Sequence, residues 1–179
     1  MLRPGISAPG LKFATVAHGA YDLAADAPAN GTLLAFYRGG HSRTCGLQLK
    51  ELDDHIGDLA IRAVRVVAVS ADSAERAAET VSRMQIIRLP VGYGIDVERA
   101  RSDWGLYVSL GRPASPEPAI FSEPALFWIR RGGAVAFCTV SSTPQLRPTA
   151  TQLVRAIDDL LREGGEPPGS YTEPCSKKA

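Results

Sequence analysis

The apolar positions of this chain follow two rhythms. Near-continuous apolar runs of strand length stand at TLLAFY (Thr32 to Tyr37), VRVVAVS (Val64 to Ser70), ALFWI (Ala125 to Ile129) and AVAFCTV (Ala134 to Val140). Such runs predict strands covered on both faces. Elsewhere apolar residues recur at helical spacing. Leu49, Leu52, Ile56 and Leu59 share one face of a helix, with Lys50, Glu51, Asp53 and Asp54 on the other. SAERAAETVSRM predicts a helix that Asp72 or Ser73 can cap, and DVERARSDWG one stopped at Gly105. TATQLVRAIDDLLREGG predicts a last helix, with Leu153, Ile157 and Leu160 on one face and glycines at its end. LKFATVAHGAYDL alternates around His18-Gly19 as a β-hairpin would. Residues 86–91 read as a short extended piece and 111–118, GRPASPEP, as a proline-rich loop. The turn Arg130 to Gly133 joins the last two runs into an antiparallel hairpin.

The order is therefore hairpin, strand, helix, strand, helix, helix, hairpin, helix. It predicts an α/β protein with a mixed central sheet flanked by helices and an N-terminal β-hairpin extension. Residues 1–165 form one domain, and 166–179 a polar tail expected to be flexible. With 45% hydrophobic and 22% charged residues, the composition is that of a globular domain with a real core. A formal charge of +1 gives no electrostatic reason to expect nucleic acid or an anionic membrane as partner. No apolar run is long enough to span a bilayer, and MLRPGISAPGLKF lacks the apolar stretch of a secretory signal, so a cytoplasmic location is expected. Cys45, Cys138 and Cys175 do not resemble a disulfide framework. The histidines are scattered and GGHSRTCG lacks phosphate-loop spacing, so neither a metal nor another cofactor is expected.

Chemistry is expected beyond the carboxyl end of the first core strand, where open α/β sheets collect ligands. There TLLAFY leads through RGGHSRTCG into a helix. If that helix starts near Thr44, Cys45 lies in its first turn, facing unpaired N–H groups and the positive end of the helix dipole. Arg38, His41 and Arg43 lie within a few residues and no acid intervenes before Glu51, which favours thiolate over thiol. A buried, inert cysteine is the competing reading, and Ser42 reads equally as a helix cap or an active-site hydroxyl.

The run FYRGGHSRTCGLQLKEL resembles the alkyl hydroperoxide reductase and thiol-specific antioxidant family, the peroxiredoxin-like branch of the thioredoxin superfamily. VVAVSADSAE, SEPALFWIRRGGAV and VSSTPQLRP match further family motifs in order, over roughly residues 5 to 165. The resemblance implies a thioredoxin-like fold, with Pro124 as the cis-proline that opens a core strand. It also exposes departures. Relatives in this branch carry Cys-x-x-Cys where this chain has Ser42-Arg43-Thr44-Cys45. Peroxiredoxins carry Thr-x-x-Cys there, so Ser42 can supply the hydroxyl and Cys45 the peroxidatic thiol. Their usual arginine falls near Pro124; Arg147 and Arg43 are the candidate substitutes. Their usual proline ahead of the site is replaced near Arg38.

The implied reaction is peroxidase-type reduction of a hydroperoxide through one cysteine, an antioxidant activity, with Cys45, Ser42 and Arg147 catalytic and Arg43, Thr44 and Pro124 in support. The Cys45 sulfenic acid would be reduced by Cys175 in the tail, or by an external thiol, thioredoxin-like or glutathione. Cys138, on a core strand, is expected to be inert. A homodimer is compatible with resolution through a partner's tail. Two alternatives stay open: a degenerate redoxin that binds without catalysis, and monothiol exchange with a small thiol or disulfide.

Overall fold

The computed structural model describes residues 2–25 and 27–174. β1 (Lys12–Ala14) and β2 (Ala20–Asp22) form the expected hairpin. β3 (Thr32–Phe36) runs into α1 (Arg43–Asp54) and α2 (Ile56–Ile61), then β4 (Arg65–Val69), α3 (Ala74–Arg83), β5 (Val91–Gly92) and α4 (Val97–Trp104). A second small hairpin, β6 (Val108–Leu110) and β7 (Ile120–Ser122), precedes β8 (Ala125–Ile129), β9 (Val135–Val140) and α5 (Ala150–Glu163).

The central sheet has the order β5-β4-β3-β8-β9. β4 lies parallel to β3, and β5 to β4, whereas β8 is antiparallel to β3 and to β9. The mixed α/β sheet of the sequence reading is thus present. Its strands alternate between two cores, as a period of two requires. Leu33, Ala35, Leu126 and Trp128 pack under α1, α2 and α5, through Leu49, Leu52, Leu59, Leu153 and Ile157. Leu34, Phe36, Phe127 and Ile129 pack on the other face against Phe13 and Tyr21 of the first hairpin and Trp104 of α4.

Four details correct the sequence reading. The helix expected through Leu59 is two helices, broken at His55. No proline or glycine sits at the break. There the His55 ring nitrogen Nδ1 bonds the Glu51 carbonyl at 2.9 Å, sharing it with the His55 backbone N–H at 3.2 Å. Asp53 is buried rather than solvated: its carboxylate accepts the backbone N–H groups of Arg88 (2.6 Å), Leu89 (2.7 Å) and Ile87 (3.3 Å). Burial alone would raise its pKa, but those three N–H bonds and Lys50 prevail and lower it. The extended piece of 86–91 is strand only at Val91–Gly92. Finally, the 111–118 loop is the tip of the unforeseen β6–β7 hairpin. Its strands are too short and too mixed in polarity to give a periodic signal.

Candidate active site

β3 ends at Phe36, and the N–H of Tyr37 still bonds Val69 of β4. The chain then turns through Arg38-Gly39-Gly40-His41. Two glycines are needed because this turn presses on the start and middle of α3. A Cβ on Gly39 would stand 2.7 Å from Asp72 Oδ1, and Gly39 has φ of +126°. A Cβ on Gly40 would stand 2.3 Å from Thr80 Oγ1. The contact is used: Asp72 Oδ2 accepts the Gly40 N–H at 2.7 Å, and Arg83 Nη2 donates to the Gly40 carbonyl at 2.6 Å.

The turn closes on Ser42, the N-cap of α1, whose hydroxyl oxygen accepts the Cys45 N–H at 3.3 Å. The helix begins one residue earlier than expected, and Cys45 is in its first turn, as anticipated. The cap reading of Ser42 is therefore realised. Cys45 has no exposed surface and belongs to the core that contains Tyr37 and Leu49. Arg147 Nη1 nevertheless approaches Cys45 Sγ to 3.5 Å, and the same nitrogen donates to Gln48 Oε1 at 2.6 Å.

Arg147 arrives from a loop 102 residues later, and that loop is pinned at both ends. Ser141 of its start is buried; its N–H bonds the Pro124 carbonyl at 2.9 Å and its hydroxyl donates to the Leu146 carbonyl. At the far end Thr149 caps α5 in a capping box with Gln152, and Glu51 of α1 accepts the Ala150 N–H at 2.8 Å. The Pro124 carbonyl thus holds the start of this loop. Its peptide bond is trans, as every peptide bond among the described residues is, so the cis-proline expectation is corrected.

The other sequence candidates fall elsewhere. Arg43 and Thr44 are exposed on the outer side of α1, and the cation beside the sulfur is Arg147 rather than Arg43. Thr44, Leu47, Gln48, Pro144, Arg147 and Pro148 line a shallow groove of about 220 Å³ outside the Cys45–Arg147 pair. Tyr37 is buried beside Cys45, and burial raises its phenol pKa. Cys138, on β9, is half-buried, its sulfur 3.7 Å from the Leu2 carbonyl, and burial raises its pKa. Cys175, the candidate resolving residue, lies outside the described residues. Sequence reasoning missed Gln48 and Glu51. Gln48 was findable, because three residues past Cys45 is the same helix face.

The sheet order, the helices on it and a cysteine opening α1 define a peroxiredoxin-like thioredoxin fold. The family model described as "AhpC/TSA family" matches residues 4–138, and the chain belongs to that family. No curated protein matches it. Among solved structures it is similar to the peroxidoxin BcpB of Mycobacterium tuberculosis, at 14% identity over 92% of this chain and 100% of that one, with a TM-score of 0.68. A peroxiredoxin-like protein from Aquifex aeolicus is similar at 18% identity, 89% and 88% coverage and a TM-score of 0.70. A cysteine-to-serine mutant of peroxiredoxin 6 from Arenicola marina gives 15% identity, 97% and 81% coverage and a TM-score of 0.74. No helix among the described residues is long and apolar enough to cross a membrane.

Proposed function

We propose that the protein is a thiol peroxidase in which Cys45 reduces hydroperoxides. Membership of the AhpC/TSA family supports thiol-dependent peroxidase-type chemistry. The observation that carries the reading to this residue is the Arg147 guanidinium 3.5 Å from Cys45 Sγ at the start of α1. A guanidinium and a helix N-terminus both favour a thiolate, which is the nucleophile.

The thiolate attacks the terminal peroxide oxygen. An S–O bond forms as the O–O bond breaks, and the leaving oxygen takes a proton to become water or an alcohol. Negative charge moves from sulfur to oxygen, and in this reading Arg147 and the Ser42 O–H stabilise it. Cys45 is left as a sulfenic acid. A thiol reductant, thioredoxin-like or glutathione, attacks its sulfur, expels water and forms a mixed disulfide that a second thiol reduces. Cys175 is the residue of this chain that would replace the external thiol, in the same subunit or across a homodimer.

The complete burial of Cys45 favours a second reading, a redoxin that keeps the fold and binds without catalysis. Trapping sulfenic acid on reduced protein under hydrogen peroxide separates the two. The peroxidase requires Cys45 to oxidise faster than free cysteine and the adduct to vanish in Cys45→Ser. Oxidation no faster than that of free cysteine leaves the binding protein.

A further inference from the structure

Buried polar side-chain atoms almost always find a hydrogen-bond partner, so a cluster that does not is informative. Among the described residues, the buried side-chain nitrogens and oxygens without such a partner are concentrated behind the turn before Cys45. All but Thr139 Oγ1 belong to Tyr37, Arg38, His41, Asp72, Ser122 and Glu123. The side chains of Arg38, Glu117 and Glu123 are only 17%, 8% and 5% exposed.

Arg38 is the hub of this cluster. Its Nη2 lies 3.6 Å from Glu117 and its Nε 3.6 Å from Glu123, while its guanidinium sits 4.5 Å over the Phe121 ring. His41, at the other end of the turn, rests on the same ring at 4.8 Å between centroids. Both acids are fixed from elsewhere. Ser109 Oγ donates to Glu123 Oε1 at 2.6 Å, and Glu117 Oε2 accepts the Arg112 N–H at 2.9 Å. The turn is thus gripped on one side by Asp72, just ahead of α3, and by Arg83 at its end, and on the other by the β6–β7 hairpin, through Arg38 and His41. What the turn delivers is Ser42, whose N–H bonds Gly39 and whose hydroxyl caps Cys45.

We propose that Arg38 is a positioning residue for the Cys45 reaction: it ties the turn to Phe121, Glu117 and Glu123 and so fixes the Ser42 cap against which Cys45 is set. The proposal rests on the peroxidase reading for its chemical consequence, but not for the anchoring. Arginine suits the task because one planar group stacks on an aromatic ring while its edge faces two carboxylates; a lysine ammonium satisfies only the charge. Removing the cation leaves the buried Glu123 carboxyl with Ser109 but without its ion-pair partner, which destabilises the fold by itself. The test must therefore separate anchoring from stability.

Three variants do so: Arg38→Met, Arg38→Lys and the double variant Arg38→Met/Glu123→Gln, which also removes the stranded charge. Amide hydrogen exchange from Gly39 to Gly46, the rate of Cys45 oxidation by hydrogen peroxide and the thermal midpoint are measured on each full-length chain. Arg38→Met is expected to speed exchange in that segment, and slow Cys45 oxidation, by about tenfold or more, as loss of preorganisation implies. The double variant is expected to regain thermal stability without regaining either, and Arg38→Lys to fall between Arg38→Met and wild type. Recovery of exchange and oxidation together with stability in the double variant overturns the proposal, as does unchanged exchange in Arg38→Met. Wild-type Cys45 oxidising no faster than free cysteine defeats the peroxidase reading instead, and the exchange data, which need no peroxide, still decide the anchoring.

Discussion

Cys45 and Cys138 are both core-facing thiols of one domain, and the more buried of the two is the one with chemical company. Cys45 has no exposed surface, yet a guanidinium nitrogen lies 3.5 Å from its sulfur and the residue stands in the first turn of α1. Cys138 is only half-buried, yet its neighbour is the Leu2 carbonyl oxygen, an acceptor that suits S–H and opposes S⁻. On the proposed reading, burial is a poor guide to whether a thiol can react. The sign of the charges and dipoles that replace water decides it.

The largest test of this contrast exchanges the fates of the two residues. Cys45→Ser is expected to abolish peroxide-dependent sulfenic acid formation, a fall of about a thousandfold or more for loss of the nucleophile, whereas Cys138→Ser should change the rate less than about twofold. Mass-spectrometric counting of the trapped adduct reads both. Arg147→Gln should come next. It keeps much of the volume and removes the charge, and is expected to slow Cys45 oxidation on the order of a hundredfold, the usual cost of one donor aimed at developing charge. A rate equal to wild type would make the arginine a helix-surface neighbour and nothing more.

Ser42→Ala is expected to have a smaller effect, about 1 kcal/mol of stability from the lost cap, with oxidation slowed further if the hydroxyl also donates to peroxide; urea unfolding beside stopped-flow oxidation separates the parts. The smallest effect concerns alkali. Burial raises the Cys138 pKa, so in the folded chain this thiol ionises at higher pH than in the unfolded chain. Its contribution to stability is therefore intact below the unfolded thiol's range and lost as pH rises from there through the raised folded value. Cys138→Ala should flatten that alkaline loss in a pH series of thermal midpoints.

Much of the fold was legible because its information is periodic. The strands β3, β4, β8 and β9 are apolar runs that no other element explains, and Ser73, Gly105 and Thr149 mark helix ends with side-chain caps or a left-handed residue. The helix break at His55, the buried Asp53 and the β6–β7 hairpin were not legible, since each depends on a partner distant in sequence or on strands too short to show a period. The candidate site divides along the same line. Ser42 and Cys45 are local, and their expected placement at the start of a helix is where they lie. Arg147 was named among two substitutes, and only the three-dimensional path of its loop separates it from Arg43, which is nearer in sequence and faces solvent. The ring of Arg38, Glu117, Phe121 and Glu123 assembles across some eighty residues and leaves no local trace.

The Ser141 tether has a further consequence. The family resemblance puts an arginine near Pro124, and the Pro124 carbonyl holds the very segment that brings Arg147 to the sulfur. The cation beside the sulfur therefore comes from the loop after the last strand rather than from the strand-opening segment. A column-by-column alignment would score the cation as lost. In any redoxin dismissed on that criterion, the loop after the last strand is where a displaced guanidinium should be sought.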